Sequence, residues 1–175
     1  MSTYLINGPS TAGKTTIGKL LAKRGYKVID TDQEFGHYAN FETEQPVAFP
    51  SSGHPSADWY RVNGWIWNRK KVERAIHEGK NQTVFFCGGA YNENHFYPQF
   101  NKIFRLHMTP EEFEKRIGAR GEDSHTNNPN FRQRMIDFLK TSVQDATSSG
   151  MVIIDTSNAK PEDSVLEILS YVEDK

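Results

Sequence analysis

Along this chain, short apolar runs alternate with longer stretches in which apolar residues recur every three or four positions. The runs are Tyr4–Asn7, Lys27–Asp30, Thr83–Cys87, Lys102–Met108 and Met151–Asp155. Helical periodicity covers Lys14–Arg24, Ala57–Glu78, Thr109–Gly118, Asn130–Ser148 and Glu162–Val172. Gly25 and Gly79 stand where C-terminal glycine caps belong. Thr109-Pro110-Glu111-Glu112 is a capping box with proline at the first helical position. Five apolar strands separated by helices predict a five-stranded parallel sheet covered on both faces, a three-layer α/β sandwich. Two segments break the rhythm. Gln33–Ser56 is long and rich in Gly, Pro and aromatic residues, and Gly121–Asn130 is polar and turn-rich. Loops of that length in a compact domain are usually functional or disordered.

Composition narrows the setting. A chain of 175 residues suits one domain with one well-buried core. With 21 Lys and Arg against 22 Asp and Glu, the formal net charge of −1 argues against a general nucleic-acid binder. Cys87 is the single cysteine, so no internal disulfide forms and a reducing compartment fits. No apolar run approaches the ~20 residues that span a bilayer, and the first strand starts at once. The expectation is a soluble cytoplasmic protein, monomer or homodimer, with neither membrane nor nucleic acid as partner. The six histidines are scattered without metal-ligand spacing.

Chemistry enters at residues 8–15. Gly8-Pro9-Ser10-Thr11-Ala12-Gly13-Lys14-Thr15 is a complete G-x-x-x-x-G-K-[ST] loop between an apolar run and a helical pattern. Glycines let successive N–H groups from Gly8, Ser10, Thr11, Ala12, Gly13 and Thr16 turn inward around phosphate. The helix beginning near Gly13 adds its positive end. Lys14 supplies a point charge to the β- and γ-phosphates of ATP, and the Thr15 hydroxyl is a Mg²⁺ ligand.

Two carboxylates follow the second apolar run, in Asp30-Thr31-Asp32-Gln33-Glu34. Open α/β sheets bind ligands at this end of their strands. In an extended segment residues two apart point the same way, so Asp30 and Asp32 face one site. One can orient Mg²⁺ through water while the other accepts a proton from an attacking hydroxyl. Past the third run, Gly88 and Gly89 allow a ligand close to the backbone. Cys87 reads as a small buried hydrophobe. In the helix expected over 57–78, Trp59, Asn63 and Trp67 form one stripe, with Arg61 between them, and Val62, Trp65, Ile66 and Arg69 form another. The first stripe either buries the long insertion or lines a pocket for a flat acceptor such as a nucleobase. Asn92 follows the glycines as a polar candidate for the same pocket.

Taken together, the loop, the Asp-x-Asp, the Gly-Gly and a late arginine-bearing flap resemble the P-loop small-molecule kinases: the shikimate kinase, gluconate kinase and nucleoside monophosphate kinase group. By that resemblance Asp32 binds and deprotonates the acceptor hydroxyl, Asp30 helps place Mg²⁺, and Gly88 and Gly89 contact the acceptor through backbone N–H groups. Arg116-Ile117-Gly118-Ala119-Arg120 resembles the adenylate kinase R-I-x-x-R element. There Arg116 stacks on adenine and Arg120 reaches the phosphates when residues 118–130 close as a lid. Asp155 falls in the turn that touches the adenine edge.

Read without the family, Arg116 and Arg120 share one helical face, and Arg132 and Arg134 follow the flap. Arginines around a flexible segment suit a lid that stabilises charge on a transferring phosphoryl group. The expected activity is ATP- and Mg²⁺-dependent transfer to a hydroxyl or phosphate of a small molecule, with residues 33–67 as the acceptor-binding insertion. A nucleoside or nucleotide kinase is the nearest alternative. An ATP-binding regulatory switch with slow hydrolysis is the alternative from another class.

Overall fold

The computed structural model describes residues 2–119 and 128–172. Strands β1 (Thr3–Asn7), β2 (Lys27–Asp30), β5 (Val84–Cys87), β6 (Lys102–His107) and β7 (Val152–Asp155) form one wholly parallel sheet. Their order across it is β2-β5-β1-β6-β7. All five lie on the apolar runs. Every residue of β1 and β5 is buried, because helices on both faces leave these strands no solvent side. Alternate residues feed two cores. Tyr4, Ile6, Phe85, Phe104 and Leu106 pack on one face. They meet α1 (Lys14–Lys23), α5 (Pro110–Gly118), α6 (Pro129–Ser148) and α7 (Pro161–Ser170) through Leu21, Phe113, Leu139 and Val165. Leu5, Phe86 and Ile103 pack on the other face against Trp67, Val72, Ile76 and Phe96. Each such side chain withdrawn from water contributes roughly 1.5–3 kcal/mol.

Helix ends follow local chemistry. Thr109 Oγ1 accepts the Glu112 N–H at 3.2 Å at the start of α5, a cap worth about 1 kcal/mol. Asn128 Oδ1 caps α6 through the N–H groups of Asn130 and Phe131, at 2.8 and 3.3 Å. No helix among the described residues is long and apolar enough to cross a membrane.

The helix expected over 57–78 does not exist as one element. It divides into α3 (Ala57–Val62), a strand β4 (Asn63–Trp67) and α4 (Arg69–Glu78). β4 pairs antiparallel with β3 (Gly36–Asn40), which lies inside the segment expected as loop. Both stripes of that helix therefore disappear. Gly64 in a helix interior costs about 1 kcal/mol, whereas aromatic and β-branched side chains at Trp65, Ile66 and Trp67 favour a pleated strand. Gly64 also admits a close neighbour: a Cβ there would meet the Phe41 ring at 2.6 Å. Asn68 then starts α4 by accepting the Lys71 N–H at 3.1 Å. The hairpin gathers an aromatic cluster in which Tyr38 contacts Phe49, Trp59 and Trp65 at centroid distances of 4.6, 5.7 and 4.9 Å.

Candidate active site

The loop after β1 is shaped to hold an anion. Gly8 has φ 146° and Gly13 has φ 95°. A Cβ on Gly8 would lie 2.7 Å from the Leu106 carbonyl oxygen, so no other residue fits. No side chain caps α1, which leaves its first-turn N–H groups and positive end for a phosphate. Lys14 Nζ lies across the loop and donates to the carbonyls of Gly8 and Pro9 at 2.9 and 2.8 Å. Gly8, Ser10, Thr11, Gly13, Lys14, Thr15 and Thr16 all border one large cavity of about 1120 Å³. Ala12 is buried behind it.

The two aspartates part company. β2 gives way at once to a short helix, α2 (Thr31–Glu34), so the extended geometry that would align them is absent. Asp30 caps α2 by accepting the Gln33 N–H at 3.1 Å and does not border the cavity. Asp32 does border it. Its Oδ1 accepts the Gly89 N–H at 3.1 Å and faces the Trp67 indole N–H at 3.5 Å. Gly88 is squeezed behind it, since a Cβ there would lie 1.9 Å from Thr31 Oγ1 and 2.7 Å from Asp32 Oδ1. Cys87 is buried, and burial first, then the charges of Asp30 and Asp32, push its thiol up to about 12. It is no nucleophile.

Three successive amides organise what lies beyond the loop. Gly89 N–H serves Asp32, Ala90 N–H donates to Glu93 Oε2 at 3.1 Å, and Tyr91 N–H donates to the Trp65 carbonyl at 2.9 Å. Tyr91 stacks on Phe41 at 3.7 Å. With Tyr38, Tyr60 and Trp65 they make an aromatic wall. Burial pushes the Tyr38 hydroxyl up to about 12, so it remains a neutral donor. The floor is charged. Arg105 pairs with Glu93 at 3.0 Å, and Asn7 and Tyr97 donate to the same Glu93 oxygen at 2.8 and 2.7 Å. Arg134 donates to the Tyr60 carbonyl at 3.1 Å and lies 4.9 Å from the centre of its ring.

Several expected site residues are placed otherwise. Trp67 is fully buried and belongs to the core, touching the site only through its indole N–H. Asn92 is equally committed: its amide accepts the Trp67 N–H and donates to the Trp67 carbonyl, each at 3.0 Å, so it braces β4 rather than facing a ligand. Trp59 sits in the hairpin cluster outside the cavity wall. Arg61 is exposed, paired with Asp58 at 3.2 Å, and borders only a smaller neighbouring pocket. Asp155 spends its carboxylate on Ser157, at 2.8 Å to N–H and 2.6 Å to Oγ, which holds its carboxyl below the ordinary 3.8. Arg116 borders the cavity, pinned by Glu112 at 2.8 Å, by the Thr11 carbonyl at 3.3 Å and by the Thr156 carbonyl. Arg120, with 120–127 of the expected lid, lies outside the described residues. Not singled out one by one were Glu93, Tyr97 and Arg105 on the floor and Tyr38, Phe41 and Trp65 on the wall, although the last three lie in the segment 33–67 expected to bind the acceptor. One signal was available: Arg105 is a charge inside the apolar run Ile103-Phe104-Arg105-Leu106.

The parallel sheet, the loop and its helix define the class, a P-loop domain of the nucleoside monophosphate kinase type. Residues 5–137 match the AAA domain family, and the chain belongs to that family. Over 99% of this chain and the whole of the relative, it is 26% identical to a shikimate kinase of Enterococcus faecalis. Across 69% of this chain and 72% of the relative, it is 28% identical to a guanylate kinase of Fusobacterium nucleatum. A solved shikimate kinase of Acinetobacter baumannii, in complex with shikimate, superposes with a TM-score of 0.58 at 19% identity, covering 97% of this chain and 92% of that one.

Proposed function

We propose that the protein is an ATP- and Mg²⁺-dependent kinase that moves the γ-phosphoryl group of ATP to a hydroxyl or phosphate of a small molecule. One observation carries this reading. Asp32 is held on the cavity wall by the Gly89 amide and the Trp67 indole, between the phosphate loop and an aromatic pocket. A regulatory switch that only binds and slowly hydrolyses ATP has no use for that second pocket.

The loop amides and Lys14 hold and neutralise the phosphates, and Arg116 forms a platform for the adenine. Asp32 accepts the acceptor proton with Oδ2, because Oδ1 is already bonded. Mg²⁺, when bound, would offset negative charge on the transferred group. The Thr15 hydroxyl, on the cavity wall, would hold it, and Asp30, off that wall, would act on it only through intervening water. Among the described residues no group of three or more His, Cys, Asp or Glu forms a cage, and Mg²⁺ on phosphates needs only one or two protein ligands. A single buried thiol suits the cytoplasm.

The similarity to a shikimate kinase supports a hydroxylated small-molecule acceptor. The aromatic wall favours a second reading, a nucleoside or nucleotide acceptor, which the guanylate kinase similarity also supports. Coupled ADP release, measured against nucleosides, nucleotides, polyols, hydroxy acids and aminoglycosides, tests the kinase. One class should raise ADP release well above the acceptor-free rate. A flat response across the panel overturns the reading.

A further inference from the structure

Glu93 and Arg105 have no part in the transfer chemistry above, yet they keep only 11% and 10% of their side-chain surface exposed. Taking two charges out of water costs several kcal/mol per ion, and an apolar pair of similar volume is often as stable. Such a pair is poor evidence of stabilisation. This one belongs to neither apolar core and borders the cavity.

Its hydrogen bonds are unevenly spread. Among the described residues, the bonds that the Arg105 guanidinium donates leave from Nη2: to Glu93 Oε1 at 3.0 Å, to the Tyr97 hydroxyl at 3.2 Å, and weakly to Met151 Sδ at 3.8 Å. Among the described residues, Arg105 Nε and Asn7 Oδ1 are buried without a partner. A buried polar group without a partner calls for a cause, and an ordered water or a bound molecule is one. Glu93 Oε1 is saturated by Asn7, Tyr97 and Arg105, while among the described residues Oε2 accepts just the Ala90 N–H. The pair therefore offers a guanidinium donor beside a carboxylate acceptor. Its position is set by the three-amide strip. Asp32, Glu93 and the Trp65 carbonyl hang from consecutive residues whose Cα atoms stand about 3.8 Å apart.

We propose that Glu93 and Arg105 select the acceptor, and that the acceptor is a nucleoside. The base stacks on the aromatic wall, its edge pairs with Arg105 and Glu93, and a sugar hydroxyl faces Asp32. The proposal rests on the kinase reading. A base has a flat face for the rings and adjacent donors and acceptors on one edge. A polyol lacks the flat face. A hydroxy acid lacks the flat face as well, and at this pair its carboxylate would meet the one Glu93 already places there.

The double variant Glu93→Leu/Arg105→Met removes both charges together, so neither is left stranded. Glu93→Gln/Arg105→Gln replaces it if it does not fold. Nucleosides are titrated against wild type and variant by tryptophan fluorescence without ATP, and ADP release is followed with the full acceptor panel. Wild type should bind a nucleoside, and the variant should bind it at least about tenfold more weakly, with ATP affinity unchanged. Arg105→Lys, which keeps the charge but loses the planar fork, should fall between them. Equal nucleoside binding by wild type and variant overturns the proposal. So does a wild type that phosphorylates polyols or hydroxy acids but no nucleoside, which leaves the kinase reading intact. Nucleoside binding that depends on the pair, with no ADP release for any acceptor, removes the kinase reading and keeps the site.

Discussion

The two ends of the cavity are built by different means. At the phosphate end, eight consecutive residues supply the backbone groups, with Gly8 and Gly13 setting the required torsions. At the acceptor end the groups are mostly side chains, drawn from β3, β4, β6, α6 and the stretch after β5. A backbone site is written in one local string. A side-chain site exists only after distant segments have met.

That contrast can be tested by injuring one end at a time. Lys14→Ala should lower transfer by about 10³-fold or more and weaken ATP binding, while acceptor affinity in the absence of ATP stays as in wild type. A parallel fall in acceptor affinity would show that the two ends are not separate. Asp32→Asn touches the junction. It should lower kcat by about 10²–10³-fold with ATP affinity retained, and near-normal turnover with the true acceptor would remove Asp32 from its role.

Asn92→Leu should act on stability. It leaves the buried Trp67 N–H and carbonyl unpaired, a loss of about 1–3 kcal/mol in denaturant unfolding. The smallest effect concerns Glu44, which Arg69 holds by hydrogen bonds of 2.6–2.9 Å. Those bonds keep its carboxyl below the ordinary 4.5. Protonation is then harder in the folded chain than in the unfolded one. The stabilisation is complete above about pH 4.5 and fades as pH falls through the lower folded value. The Tm gap between wild type and Glu44→Gln should accordingly narrow between about pH 7 and pH 3. A constant gap would show that this ion pair does not titrate.

The same contrast explains what could be read in advance. β1 and β5 were legible because strands buried on both faces are rich in apolar residues, and β2, β6 and β7 because short apolar runs mark each of them. The phosphate loop was legible because its residues are contiguous. β4 was not, because Asn63–Trp67 mimics helical spacing, and its partner β3 hides in a polar, glycine-containing stretch. The pairing that decides between strand and helix spans residues 36 to 67. Trp67 and Asn92 looked like ligands because aromatic and amide groups serve cores and pockets alike; only the mutual bonds of Asn92 and Trp67 separate the two uses. Asn92 rather than Glu93 was picked from the stretch after Gly89 because a glutamate in a turn is ordinary until Arg105, twelve positions on, is seen beneath it.

The strip at residues 89–91 has a consequence for descent as well as for chemistry. Gly89, Ala90 and Tyr91 do their positioning through main-chain N–H groups, so point substitutions elsewhere on the wall leave the spacing of Asp32 from its surroundings untouched. Phe41 or Trp65 can change side chain while Asp32 keeps its place. A one-residue insertion between 88 and 91 would put all three bonds out of step together. Lineages sharing this framework can therefore explore new acceptors by substitution far more freely than by changes of length at this point.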